Sequence, residues 1–212
     1  MLRKDQQKND PEQVLQELIE GNERFRLNSL LNRGSLQEMG AQASKLGQFP
    51  KAVVLSCMDS RSIPEVAFDQ SIGDIFTLRI AGNVVNKDIL ASIEYAIKYA
   101  GIKLIVIMGH TDCAAIRAAF QGIQGENLSH LLNAITPAVE AQRSKLSKSE
   151  IENDSFFNDV SFQNVSDMID RSVGGSSIIR DMIIDNGVAL VGALHNIESG
   201  LVSFKYAKGI KL

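Results

Sequence analysis

The stretch 103-KLIVIMGHTDC-113 runs through five large apolar residues, stops at Gly109, and then sets a histidine with a cysteine three residues beyond it. A short apolar run bounded by glycine and polar residues reads as a strand buried on both faces, the habit of parallel sheets. Working outward, 51-KAVVLSC-57 and 188-VALVGAL-194 have the same character, and 75-IFTLRIA-81 is a less uniformly apolar relative. Helical patterns lie between them, at 87-KDILASIEYAIKYAG-101 and 177-SIIRDMIIDNG-187. That alternation predicts an α/β fold: a mostly parallel sheet of about four strands with helices on both faces. The run 200-GLVSFKY-206 follows 188–194 after only 195-HNIES-199, a gap that permits an antiparallel hairpin and nothing else, so an antiparallel edge strand is expected.

The flanking segments are helical. In 11-PEQVLQELIEGNERF-25, Val14, Leu15, Leu18, Ile19 and Phe25 fall near a 3.6-residue period, with Asp10 as N-cap and Pro11 in the first turn. A second amphipathic stretch, 35-SLQEMGAQASKLG-47, ends on a glycine suited to a helix C-terminus. Residues 1–47 thus form an N-terminal helical arm, which packs on its own domain or on a neighbouring subunit, and 48–212 form the α/β domain, the whole being one structural unit. The region from Gln121 to Val173 is more polar and mostly helical, and 143-RSKLSKSEIENDS-155 reads as an exposed connection.

Composition narrows the function. The chain has 212 residues, of which 22 are basic and 25 acidic, for a net charge of −3. Such a near-neutral balance gives no broad electrostatic reason to expect nucleic acid or an anionic membrane. No apolar run approaches the roughly 18 residues of a membrane span, and the polar start MLRKDQQKND lacks a secretory core, so a cytoplasmic protein is expected. With 2 cysteines and 3 histidines, core packing and not disulfides must hold the fold.

Both cysteines fall at strand ends, where α/β sheets gather functional groups. Cys57 closes the first strand and leads into Asp59 and Arg61; His110 closes the third, and Cys113 follows. If those strands are neighbours, the three side chains converge. A lone cysteine after an apolar strand is usually a small buried hydrophobe. Two cysteines and a histidine arriving together suit Zn(II), and three protein ligands leave the open fourth position of a catalytic site. Asp59 is placed either to ligate or to stand beside a bound water. His130 and His195 belong to no motif, and His195 lies beyond the last parallel strand.

The pair 57-CMDSR-61 and 109-GHTDC-113, with 94-EYAIKYAGIKLIVIMGH-110 leading into the second, resembles the β-class carbonic anhydrases. The similarity extends through 48-QFPKAVVLSC-57, 73-GDIFTLRIAGN-83 and 187-GVALVGALHNIESGLVSF-204. The resemblance implies reversible hydration of carbon dioxide to bicarbonate and a proton by zinc-bound hydroxide, with one Zn2+ per chain held by Cys57, His110 and Cys113. It implies that Arg61 holds Asp59 off the metal in an active form and that Asp59 becomes the fourth ligand in a closed one. It assigns Gln48 as hydrogen-bond donor to the substrate and Phe76, Ala81 and Tyr95 as the apolar pocket, groups that meet across the interface of a homodimer or a dimer of dimers. Ala114 stands in that pocket where the family usually has glycine, and its methyl is expected to narrow the space. Val54 stands where bicarbonate-regulated members carry tryptophan, which leaves Arg79 a structural role. Two other readings keep the zinc: a weak or silent homologue closed by Asp59, and a hydrolase of carbon disulfide or carbonyl sulfide.

Overall fold

The computed structural model describes residues 10–145 and 153–212. Its helices, in chain order, are α1 (Pro11–Arg26), α2 (Leu36–Leu46), α3 (Pro64–Ala67), α4 (Lys87–Lys98), α5 (Ala114–Phe120), α6 (Glu126–Asn133), α7 (Thr136–Arg143), α8 (Asp154–Gly175) and α9 (Ser177–Asp185). The strands are β1 (Ala52–Ser56), β2 (Ile75–Arg79), β3 (Leu104–His110), β4 (Ala189–His195) and β5 (Val202–Lys208), and they form one sheet in the order β2-β1-β3-β4-β5. The first four run parallel and β5 pairs antiparallel with β4, as the sequence predicts.

Every residue of β1, β3 and β4 is buried. Side chains alternate between the sheet's faces. Val53, Leu55, Ile105, Ile107 and Leu190 enter one core with α4, α5, α8 and α9, while Ala52, Val54, Val106, Met108, Val191 and Ala193 enter a second beneath α1 and α3. Strand β2 is a half-buried edge, which explains its mixed composition.

Helix α1 packs on its own chain. Val14, Leu15 and Leu18 close the second core, and Asn22, itself buried, staples three segments: its amide donates to the Ala67 and Gly200 carbonyls and its oxygen accepts from Val202 N. The helix approaches so closely that a Cβ on Gly21 would lie 1.9 Å from the Phe68 carbonyl oxygen. Helix α2 buries none of its residues. A buried carboxylate, Asp69, accepts from Arg24 and Arg33 at 2.6 and 2.7 Å and so ties the linker between these helices down.

Three boundaries differ from the sequence reading. Helix α4 ends at Lys98 and not near 101, because Tyr99 and Ala100 both donate to the Tyr95 carbonyl and Gly101 turns the chain at φ +71°. His195 does not lie beyond the last parallel strand; it is the final residue of β4, in register with His110, since the following turn begins only at Asn196, whose side chain accepts from Glu198 N and Ser199 N. Of the connection expected at 143–155, Arg143 closes α7 and Asp154 opens α8, and 146–152 lie outside the described residues, as do 1–9. Among the described residues no helix is long and apolar enough to cross a membrane.

Leu18 is fully buried, so Leu18→Ala is expected to lower unfolding free energy by about 2–5 kcal/mol. A urea titration matching that of the unaltered protein would mean that α1 contributes little to the second core.

Candidate metal centre

Parallel pairing sets β1 beside β3, with Ser56 opposite Met108. Cys57 leaves β1 at the same end where His110 leaves β3. The chain then turns through Asp112, a left-handed residue at φ +55°, and Cys113 becomes the N-cap of α5. The result is the convergence expected from the sequence: one donor atom from each of Cys57, His110 and Cys113 lies within 4.8 Å of the others, and all three residues are buried.

The donor set fits a tetrahedral thiophilic cation. The two sulfurs are 3.9 Å apart, against about 3.8 Å for two thiolates on one tetrahedral zinc with Zn–S near 2.3 Å. His110 Nδ1 lies 2.8 Å from the Thr111 carbonyl oxygen, which fixes it as the protonated nitrogen and turns the lone pair of Nε2 inward. Nε2 is buried without a hydrogen-bond partner, and a ligand nitrogen in want of a cation accounts for that cost.

Charge in the triad is arranged likewise. The Cys113 hydrogen bond holds the Cys57 thiol well below its ordinary value against the opposing effect of burial, helped by His110 and by backbone N–H groups. One of these is Gly82 N, 3.3 Å from the sulfur. Gly82 adopts φ +64°, and a Cβ there would lie 2.6 Å from the Ile135 side chain, so this approach requires glycine. Cys113 moves the opposite way, raised by the Cys57 thiolate and by burial. Burial works against a charged His110, and the Cys57 thiolate beside it prevails, so its pKa is raised. A divalent cation would take the place of the protons on Cys113 and His110.

Asp59 and Arg61 sit on the loop leaving β1. Arg61 forks onto the carboxylate, Nε to Oδ1 at 3.0 Å and a terminal nitrogen to Oδ2 at 2.8 Å, and its backbone N–H adds a third bond. Asp59 Oδ2 stands 4.0 Å from His110 Nε2. The Arg61 side-chain hydrogen bonds hold the Asp59 carboxyl well below the usual carboxylate range. The remaining terminal nitrogen of Arg61 reaches Asp112 at 3.0 Å, and Asp112 also accepts from Arg117. Arg79 clamps the loop from beneath by donating to the carbonyls of Cys57, Asp59 and Ser62, and Val54 is buried in the second core.

Not every residue expected in the pocket gathers here. Gln48, Phe76 and Tyr95 line a separate depression of about 470 Å3 beside the edge strand β2. Phe76 lies opposite Val53, four residues and about 13 Å of strand before Cys57. Ala81 stays at the metal end, next to Gly82, and Ala114 is the exposed first residue of α5. Three neighbours of the loop carried no signal in the sequence reading. Asp112 stands between two ligands with nothing to set it apart from a spacer, and Ser62 and His195 are 133 residues apart yet hydrogen bonded at 2.9 Å. Both members of that pair are buried, and burial lowers the His195 pKa to about 4, with His110 adding to the effect.

A sequence profile of the carbonic anhydrases matches residues 52–202. Carbonic anhydrase 2 of Mycobacterium tuberculosis is 31% identical over 189 residues, spanning 86% of this chain and 87% of the relative. The carbonic anhydrase of Mycolicibacterium smegmatis is 31% identical over 193 residues, spanning 89% and 90%. Among solved structures, a β-carbonic anhydrase of Sordaria macrospora, described as tetrameric, superposes with a TM-score of 0.70 at 24% identity over 79% of this chain and 91% of that one. The chain belongs to the carbonic anhydrase family and has the fold of its β class. These relatives are lyases.

Because Arg61 depresses Asp59, the stability contributed by this carboxylate is fully present above its unfolded pKa of about 3.9 and is lost as pH falls through the lower folded value. Arg61→Gln is expected to raise the Asp59 midpoint toward about 3.9, followed by carboxyl 13C chemical shift. An unmoved midpoint would assign the depression to another group.

Proposed function

We propose that this chain is a zinc-dependent carbonic anhydrase, hydrating carbon dioxide reversibly to bicarbonate and a proton, with Cys57, His110 and Cys113 as metal ligands and Asp59 and Arg61 as the acting pair. The observation that carries this reading is the buried triad of two sulfurs and an unpartnered imidazole nitrogen with an ionised, arginine-held carboxylate beside it. A zinc ion held by such a set would supply hydroxide near neutral pH.

The protein's residues do the rest. Cys57 and Cys113 furnish two negative charges, and the Gly82 N–H tempers one of them. Asp59, kept ionised by Arg61, accepts a hydrogen bond from the nucleophile and fixes its direction. Arg61 is anchored in turn by Asp112, which keeps the carboxylate from turning away. Carbon dioxide is small and apolar, so it needs an apolar slot and a donor for the developing bicarbonate, roles that fall to Phe76, Ala81 and Tyr95 and to Gln48. Ala114 borders that slot.

Gln48, Phe76 and Tyr95 line a depression beside β2, apart from the ligands of the same chain, so in this reading a second copy presents them to a ligand triad. A homodimer, or a dimer of dimers, supplies that copy. With both cysteines committed to a metal, a disulfide between them would destroy the site, which favours a reducing compartment such as the cytoplasm.

Stopped-flow hydration of carbon dioxide, with metal analysis on the same sample, tests the reading. About one zinc per chain with rapid hydration is expected. Cys57→Ser should lose metal and activity together, whereas Asp59→Ala should keep the metal and lose turnover. Full zinc occupancy without hydration between about pH 7 and 9 would refute the enzyme.

A further inference from the structure

The loop that carries Asp59 and Arg61 is held from beneath by Arg79 and from its far end by a contact that crosses the sheet. Ser62 directly follows Arg61, and its hydroxyl lies 2.9 Å from Nδ1 of His195, the last residue of β4. Between them stands the end of β3 with His110. Ser62 is 1% and His195 3% exposed, so the bond is shielded from solvent. Its loss would strand a buried polar group away from water. His195 is itself locked: its carbonyl accepts from Thr111 N at 2.9 Å, and Thr111 Oγ1 accepts from Ile197 N at 3.1 Å. Ser62 N donates to the Asp59 carbonyl at 3.1 Å, closing the turn on which Arg61 sits. A neutral core would accept an apolar pair here at lower risk, so a buried serine–histidine bond is best explained by what it positions.

We propose that Ser62 and His195 are a positioning pair: by fixing the end of the 59–62 turn against β4, they hold the Arg61 guanidinium where it can fork onto Asp59. Neither residue touches the substrate. The proposal deepens the carbonic anhydrase reading and rests on it for its kinetic consequence, while its structural content is independent of that reading.

The test uses Ser62→Ala, which removes a single oxygen and leaves packing intact, and His195→Phe, His195→Asn and the double variant Ser62→Ala/His195→Phe. Two quantities are read: the solvent protection of the Arg61 Nε–H resonance by 15N NMR, and steady-state hydration with zinc content. In Ser62→Ala and His195→Phe the Arg61 resonance should lose protection. Their kcat should fall about 10–100-fold while KM stays within about twofold and zinc is retained. The double variant should be no worse than the poorer single one, and His195→Asn, whose amide reaches the position of Nδ1, should restore both readouts. An Arg61 resonance as protected in Ser62→Ala as in the unaltered protein would overturn the proposal, as would additive losses or zinc lost in step with activity. If the unaltered protein holds zinc and does not hydrate carbon dioxide, the enzymatic reading fails, and the pair is still judged on the Arg61 resonance.

Discussion

The metal centre depends on one pairing, the parallel ladder that sets Ser56 against Met108. Side chains in a strand alternate between faces, so a slip of one residue would carry Cys57 to the opposite side of the sheet from the core it now enters. What prevents the slip is burial on both faces. Val53 and Leu55 fill one core, Ala52 and Val54 the other, so a slip would force both cores to repack at once. A donor triad spread over 57 positions of sequence thereby inherits its geometry from aliphatic packing, which is far more rigid than the loops that carry the ligands.

Around the triad the protein uses two kinds of polar contact. Exposed ion pairs such as Arg61–Asp112 and Arg117–Asp112 add little stability each, and Asp112 and Arg61 are about half exposed. Their effect is directional: a guanidinium with donors engaged on both sides has one orientation left. Arg79 acts on the backbone instead, bonding three carbonyls of the 57–62 segment. The loop is therefore specified by partners that never approach the reacting atoms.

The sheet, its antiparallel edge and the three metal donors were legible because each leaves a short-range mark: an unbroken apolar run, a five-residue gap, a cysteine or histidine at a run's end. The packing of α1 on its own sheet is not legible in this way, because an amphipathic face does not say which surface it meets. Gln121–Val173 reads as polar and mostly helical, yet α8, which starts inside it, buries Phe156, Val160, Val165 and Met168. The mixed character of that helix hides its buried side. Ser62, His195 and Asp112 were invisible for a different reason. A serine and a histidine 133 residues apart have no periodicity to betray them, and a left-handed aspartate between two ligands looks like any spacer.

The Asn22 staple has a consequence for how the chain reaches this structure. Asn22 and Gly200 are 178 residues apart, and the apolar face of α1 shares its core with Val191 and Val202. At about 5–20 residues per second, roughly 9–36 s of synthesis separate the emergence of that helix from the arrival of its covering strands. During that interval Val14, Leu15 and Leu18 have only the part of their core that β1, α3 and β3 supply. Until then the apolar face of α1 is only partly covered, and an apolar face exposed in this way is open to off-path contacts.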